Sequence, residues 1–214
     1  MEKFLIADVP LTQRVLSRLS GFEPTILEAG QIIEQFIAFD VWSLLPRAST
    51  LLVFPGRGAE IVRSGLPDSW LVQWKWASVY AKRDWELGQS PRVSVGHIFP
   101  DGLHLELTNV VIIDDVVSSG LTCKKLMIIN NPWFPRARWH ITTWVMQRAA
   151  SLRGFEIIRA VCSVGTKETK TSVQSLSTLL LDKEIASGYI ERHIANKSGF
   201  LDLLEELRAS MGVT

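Results

Sequence analysis

Residues 110–122 read VVIIDDVVSSGLT. Four β-branched residues lead into Asp114 and Asp115, two valines follow, and then come Ser118, Ser119, Gly120, Leu121 and Thr122. A short continuous apolar run marks a strand buried on both faces, as in a parallel sheet flanked by helices. Adjacent carboxylates repel each other, and burying them without partners costs each several kcal/mol. They are therefore expected to face a crevice where hydroxyls or a cation meet them. Behind them Ser118 and Ser119 offer hydroxyls, and Gly120 permits close backbone approach. A helix start follows, whose amides and dipole favour a phosphate. One stretch thus offers acceptors for sugar hydroxyls and a cradle for a phosphate, and a phosphorylated sugar uses both. The plainer alternative is a solvated acid pair followed by a helix capped by Ser119.

Outward from this stretch the same pattern repeats. STLLVFPGRG (49–58) is a buried strand ending in proline and two glycines, and AEIVRSG (59–65) makes one or two helical turns. SVYAKRDW (78–85) alternates as a strand does, and RVSVGHIF (92–99) and LHLELT (103–108) flank the hairpin signal Pro100-Asp101-Gly102. SGLTCKKLMI (119–128) opens a helix, and RWHITTWVMQ (138–147) and FEIIRAVC (155–162) are further strands. Helices are expected over residues 10–20, stopped by Gly21, over residues 27–45, and over SGFLDLLEELRAS (198–210) with Ser198 as N-cap. There is no internal repeat, low-complexity tract or linker. Alternating buried strands and helices predict an α/β protein with a parallel central sheet. Ligands of such sheets bind beyond the carboxyl ends of the strands, the edge at which residues 55–58 and 114–122 both fall.

The chain's 214 residues, 47% hydrophobic and 21% charged, suit one domain spanning 1–214. A net charge of +1 provides no global field for nucleic acid, so an anionic ligand must be held by local groups. Cys123 and Cys162 lack the spacing of a zinc site and fit a reducing compartment. MEKFLIADVPLTQRVL has no signal-peptide core, and no apolar run nears the ~18 residues of a membrane span. A cytoplasmic protein is the expectation. His97, His104, His140 and His193 show no HExxH spacing, and no GxSxG elbow occurs. Trp70, Trp74, Trp76 and Trp85 crowd one stretch and predict a core or a dimer interface, with base stacking as the lesser alternative. Lys124-Lys125 and KETKTS (167–172) are expected to be solvated faces.

VVIIDDVVSSGLT resembles the phosphoribosyl-pyrophosphate (PRPP) signature of type I phosphoribosyltransferases. That signature is a hydrophobic strand, two acids, two apolar residues, a small residue, Ser, Thr or Ala, then Gly, and a hydroxyl residue two further on. All 13 positions match. The resemblance covers roughly residues 50–150. It implies a Rossmann-like core over about residues 46–165 with a mostly parallel sheet, a flexible β-hairpin loop, and a small hood from the N-terminal segment, the C-terminal segment or both. By carry-over, Asp114 and Asp115 hold the ribose 2′- and 3′-hydroxyls. Val117, Ser118, Ser119, Gly120, Leu121 and Thr122 wrap the 5′-phosphate. LLVFPGRGAE, about 60 residues upstream of the acid pair, stands at the family's pyrophosphate loop. There Pro55, Gly56, Arg57 and Gly58 are implied as contacts, the glycines freeing the backbone and Arg57 bringing charge to an oxyanion. By itself this loop is neither GxGxxG nor a P-loop, and a plain turn would account for it. VYAKRDWE supplies Lys82 and Arg83 at the family's basic strand and is similar to the Arg-Asp strand of uracil phosphoribosyltransferases. Strand neighbours face opposite ways, so one of the two is expected in the site; a solvated edge strand is the alternative. Residues 85–107 are implied as the flexible hairpin loop that closes and excludes water.

The activity implied is displacement of pyrophosphate from C1 of PRPP by a nitrogen acceptor, with Mg²⁺ held near Asp114 or Asp115 directly or through water. Arg57 and Lys82 or Arg83 would neutralise the departing pyrophosphate, which makes Arg57, Lys82, Arg83, Asp114 and Asp115 the candidate catalytic residues. Where 6-oxopurine members carry an aspartate this chain has Ser118, which argues for a pyrimidine or adenine-like base. The lysine-rich loop of orotate members is absent from WELGQSPRVSV (85–95), and no uracil-binding C-terminal segment is evident, so the base stays open. The implied protein is a homodimeric enzyme of nucleotide salvage with no nucleic-acid or membrane partner. The alternative is a non-catalytic relative that senses PRPP or a nucleotide; retention of Arg57, Lys82 and Arg83 favours the enzyme.

Overall fold

The computed structural model describes residues 2–84, 92–98, 106–148, 150–165 and 171–212, with the backbone alone at 83 and 84. In chain order the first elements are β1 (Glu2–Ala7), α1 (Gln13–Ser20), β2 (Thr25–Glu28), α2 (Ala29–Ile37) and α3 (Val41–Leu44). There follow β3 (Thr50–Pro55), α4 (Gly56–Gly65), α5 (Asp68–Leu71), β4 (Lys75–Val79), β5 (Ala81–Asp84), β6 (Arg92–Val95), β7 (Asn109–Val117) and α6 (Leu121–Asn130). The last are β8 (Arg138–Gln147), β9 (Ile157–Val164), β10 (Thr171–Ser175), α7 (Leu176–Leu181), α8 (Lys183–His193) and α9 (Lys197–Ser210). They sort into two compact units, Ile33–Val164 and the pair of chain ends Met1–Ile32 with Gly165–Thr214.

The unit Ile33–Val164 is α/β, as expected. Among the described residues its sheet has five strands in the order β4-β3-β7-β8-β9, every neighbouring pair parallel. β3 and β7 form its centre. Leu51, Leu52, Val53 and Phe54 of β3 and Val110 to Ile113 of β7 are all but inaccessible, which explains their unbroken apolar character. On one face Leu51, Val53, Val110 and Ile112 pack with Cys123 and Leu126 of α6 and with Phe134 and Trp139. Each side chain of this kind contributes roughly 1.5–3 kcal/mol on full burial. Cys123 is thus a small core residue. Phe36, Trp42, Trp70 and Trp74 form a second cluster with ring centroids 5.1–5.7 Å apart along Phe36–Trp42, Trp42–Trp70, Trp42–Trp74 and Trp70–Trp74. That assigns buried Trp74 to the core, with half-buried Trp70 packed against it. Trp76 is partly exposed on β4 under the Arg63 guanidinium, and Trp85 lies outside the described residues.

Several expectations change. Residues 27–45 are not one helix: Thr25–Glu28 pairs with β1, and α2 stops at Ile37. The Trp42 indole donates to the Phe36 carbonyl at 2.7 Å, taking a carbonyl that a continuing helix would have used. Residues 78–85 are not one strand either. β4 stays in the central sheet, the chain leaves it at exposed Tyr80, and β5 pairs antiparallel with β6 through Lys82↔Ser94 and Arg83↔Val93. β6 therefore pairs with the strand before it; the turn Pro100-Asp101-Gly102 lies outside the described residues, and residues 106–108 form no strand. Finally, β7 runs on to Val117, paired with Met146, so the acid pair lies within the strand rather than at its end.

The unit of chain ends holds a second parallel sheet, of order β10-β1-β2, in which Phe4 pairs with Val173 on one side and with Thr25 on the other. α1 begins where Thr12 accepts from the Val15 amide at 3.4 Å. α9 is capped by Asn196, which accepts from the Gly199 amide at 3.1 Å, rather than by Ser198. The buried Arg208 guanidinium donates to the Leu179 and Leu180 carbonyls at 2.7 and 2.8 Å, satisfying the C-terminal end of α7. Among the described residues no helix is long and apolar enough to cross a membrane.

Candidate functional site

The strand order positions the site. From β3 the chain moves outward to β4, then returns past β3 to lay down β7, β8 and β9 on the other side. The direction of progression reverses between β3 and β7, and that switch point is where open α/β sheets bind ligands. The β3–β7 ladder ends at Val53↔Ile112, two residues before Asp114, while β7 stays paired with β8 as far as Val117. The gap beyond the ladder is flanked by Pro55–Gly58 on one side and by the acid pair on the other.

These two segments touch. A Cβ on Gly58, in the first turn of α4, would lie 2.1 Å from Asp115 Oδ1 and 2.7 Å from its Cγ. Only a glycine lets the carboxylate rest there. Gly56 is in the left-handed region at φ +68°, and a Cβ on it would meet the Ala81 carbonyl at 2.6 Å. Ala81 opens β5, so the base of the β5–β6 hairpin abuts the same turn. Lys82, next along, is exposed; the Arg83 side chain lies outside the described residues. Arg57 is exposed between the two glycines. The hairpin is also fastened to α6: the Lys125 ammonium donates to the Val93 carbonyl, and Asn130 Oδ1 accepts from the Ile98 amide at 2.7 Å.

Asp114 and Asp115 are half-buried, and each carboxylate is oriented by the next backbone amide. The Asp115 amide donates to Asp114 Oδ1 at 3.0 Å and the Val116 amide to Asp115 Oδ1 at 2.7 Å. Val117 is buried, Ser118 and Thr122 half-buried, and Ser119 and Leu121 exposed. Gly120 turns the chain at φ +75° and precedes α6, where no side chain caps the helix from that position. Ser119 Oγ accepts from the Leu121 amide at 3.3 Å, while Gly120 rather than Ser119 holds the N-cap position. Left-handed Gly120 is required twice over, because a Cβ there would meet Leu152 Cδ2 at 2.5 Å and the Ser151 carbonyl at 3.0 Å.

The sequence did not point to this support from the segment after β8. The Ser151 amide donates to the Ser119 carbonyl at 3.3 Å, and Lys124 Nζ donates to Ser151 Oγ at 3.0 Å. Nor did it mark Thr143 of β8, whose hydroxyl lies against the Asp114 carbonyl at 2.9 Å and the Asp115 carbonyl at 3.2 Å. The available signal was the pair of threonines between Ile141 and the apolar Trp144-Val145-Met146.

Two adjacent carboxylates offer hard oxygen donors suited to Mg²⁺, but among the described residues no three His, Cys, Asp or Glu side chains converge on an ion. That donor set fits a Mg²⁺ that arrives with a substrate diphosphate and takes its remaining ligands from substrate and water.

No family model matches the sequence, and no curated protein matches it. The chain does align with solved structures. The xanthine-guanine-hypoxanthine phosphoribosyltransferase of Helicobacter pylori aligns over 87% of this chain and 99% of its own, with a TM-score of 0.51 at 11% identity. A purine phosphoribosyltransferase from Pyrococcus horikoshii Ot3 aligns over 82% and 93%, with a TM-score of 0.44 at 17% identity. A protein from Neisseria gonorrhoeae solved with bound ppGpp aligns over 74% and 89%, with a TM-score of 0.47 at 14% identity. With its five-stranded parallel sheet and its switch point between β3 and β7, the chain has the fold of the type I phosphoribosyltransferases.

Proposed function

We propose that the chain is a phosphoribosyltransferase that moves the 5-phosphoribosyl group of PRPP onto a nitrogen heterocycle and releases pyrophosphate. The observation that carries this reading is the contact of Asp115 with Gly58 across the switch point. It brings the acid pair against the Pro55–Gly58 turn, with the start of α6 immediately downstream.

In this reading Asp114 and Asp115 accept the ribose 2′- and 3′-hydroxyls and fix the sugar. The backbone of Val117 to Thr122, with the hydroxyls of Ser118, Ser119 and Thr122, surrounds the 5′-phosphate at the dipole-positive end of α6. Arg57 and Lys82 or Arg83 face the pyrophosphate. The C1–oxygen bond to pyrophosphate breaks as the acceptor nitrogen's lone pair forms the C1–nitrogen bond, and the electron pair leaves with pyrophosphate. Charge grows on the leaving group and on the sugar ring, so the protein acts by positioning and by preorganised positive charge. Mg²⁺, when bound with PRPP, supplies further neutralisation of the diphosphate.

The acceptor is a nucleobase. Ser118 in place of the 6-oxopurine aspartate supports a pyrimidine or adenine-like base, whereas the Helicobacter protein is named for xanthine, guanine and hypoxanthine. The test is pyrophosphate release from PRPP and Mg²⁺ across a panel of purines and pyrimidines, with Asp114→Asn/Asp115→Asn as control. Release with one base, lost in the double variant, establishes the enzyme and its acceptor together. Tight PRPP binding without release from any base refutes the transferase and leaves a sensor. No PRPP binding refutes the reading of residues 110–122.

A further inference from the structure

In a regular strand neighbouring side chains project to opposite faces. Asp114 and Asp115 are neighbours within β7, yet two adjacent hydroxyls of one ribose lie on the same side of the ring. Serving both requires a departure from the regular pleat at this point, and the ladder shows one. β7 pairs with β8 through Asp114↔Thr143 and next through Val116↔Val145, passing over Asp115 and Trp144. On the other side of β8 the pairing likewise passes from Thr143↔Ala160 to Val145↔Cys162.

The Thr143 hydroxyl sits in that gap. Three carbonyls surround it: Asp114 at 2.9 Å, Val145 at 3.1 Å and Asp115 at 3.2 Å. Thr143 is fully buried, and a hydroxyl has one hydrogen to give. The hydroxyl is therefore a donor to the backbone at the point where the ladder lapses, and a buried carbonyl that loses its donor is costly.

We infer that Thr143 is a positioning residue for the acid pair, holding the 114–115 backbone in the irregular conformation that directs both carboxylates at one ribose. The inference rests on the phosphoribosyl-binding reading above and goes beyond it in naming what sets the acid pair's geometry. Thr143 touches neither sugar nor phosphate. Its loss should weaken recognition of the sugar diol and spare recognition of the phosphate, a split that general loosening would not produce.

The experiment measures binding of ribose 5-phosphate and 2-deoxyribose 5-phosphate by calorimetry to the full chain and to Thr143→Val and Thr143→Ser, with melting curves to confirm folding. The wild type should prefer the ribose sugar by about tenfold, or 1.4 kcal/mol. Thr143→Val should bring that ratio towards one and keep its affinity for the deoxy sugar within about twofold, and Thr143→Ser should restore the preference. If Thr143→Val does not fold, Thr143→Ala is read for the same ratio. A valine variant that keeps the full preference, or that loses both sugars alike, overturns the positioning role while the phosphoribosyl reading stands. A wild type that binds neither sugar, or binds both equally, overturns that reading and the inference with it.

Discussion

Replacing Gly58 with alanine should damage the site while leaving the fold intact. The new methyl would stand 2.1 Å from Asp115 Oδ1, whereas ordinary contact begins at 3.4 Å, so the carboxylate must retreat by 3.4 − 2.1, about 1.3 Å. Moving it breaks the 2.7 Å hydrogen bond from the Val116 amide, a loss of about 1 kcal/mol. Alanine regains up to ~1 kcal/mol over glycine inside a helix, and Gly58 lies within α4. The two nearly cancel, so the melting temperature should stay within about 4 °C of the wild type for a chain of this size. Function has no such compensation. A displacement on the order of 1 Å in a group that orients substrate costs about a hundredfold, and PRPP affinity with PRPP-dependent turnover should fall on that scale. The assays are calorimetric PRPP titration and differential scanning calorimetry of the two proteins. Undiminished PRPP affinity in Gly58→Ala would refute the claim that Asp115 at this contact holds the sugar. A melting temperature lower by ~10 °C or more would refute the cancellation.

Gly120→Ala combines a left-handed φ with a clash against the Ser151 carbonyl; it should cost about 2 kcal/mol, read as a lower urea midpoint, and a wild-type midpoint would count against the described turn. Arg57→Ala should lower PRPP affinity and turnover about tenfold or more without changing affinity for ribose 5-phosphate, which has no pyrophosphate; equal losses for both ligands would remove Arg57 from the pyrophosphate site. Acid should destabilise the fold through His140. Burial pushes its imidazole below the ordinary 6.5, Nε2 meets Asn109 Oδ1 at 3.0 Å, and among the described residues buried Nδ1 has no partner to receive a second proton's hydrogen bond. With the folded value depressed, the unfolded chain binds the extra proton first, so stability is level above about pH 6.5 and falls below it. His193 is shifted the same way by burial. His140→Gln should flatten part of the decline in urea midpoint between pH 7 and 5, and an unchanged pH slope would exclude His140 as a source.

The two central strands could be read locally. LLVF and VVII are unbroken apolar runs because β3 and β7 are central strands covered on both faces, and a short contiguous run needs no distant partner to declare itself. The α/β class and the edge carrying residues 55–58 and 114–122 followed from those runs and the turns behind them. The short strands were different. EKFLIA and TSVQS become β1 and β10 only because each pairs with the other across most of the chain, and neither carries enough apolar pattern to announce a partner. Residues 27–45 show helical spacing throughout, yet β1 takes the first residues as strand and Trp42 ends the helix from outside.

The site divides along the same line. The residue types of VVIIDDVVSSGLT are contiguous, so the sequence alone determined that acids, hydroxyls and a helix start stand together, the grouping on which the proposal of a phosphorylated sugar rests. Only the tertiary structure decided that Gly58 lies under Asp115, that Ala81 closes on Gly56, that Ser151 and Leu152 back Gly120, and that Thr143 lies behind the acid pair. Each of these joins segments far apart in the chain through the register of parallel strands. Parallel pairing is established across long crossovers rather than tight turns, so nothing in the local sequence specifies which side chain will face which.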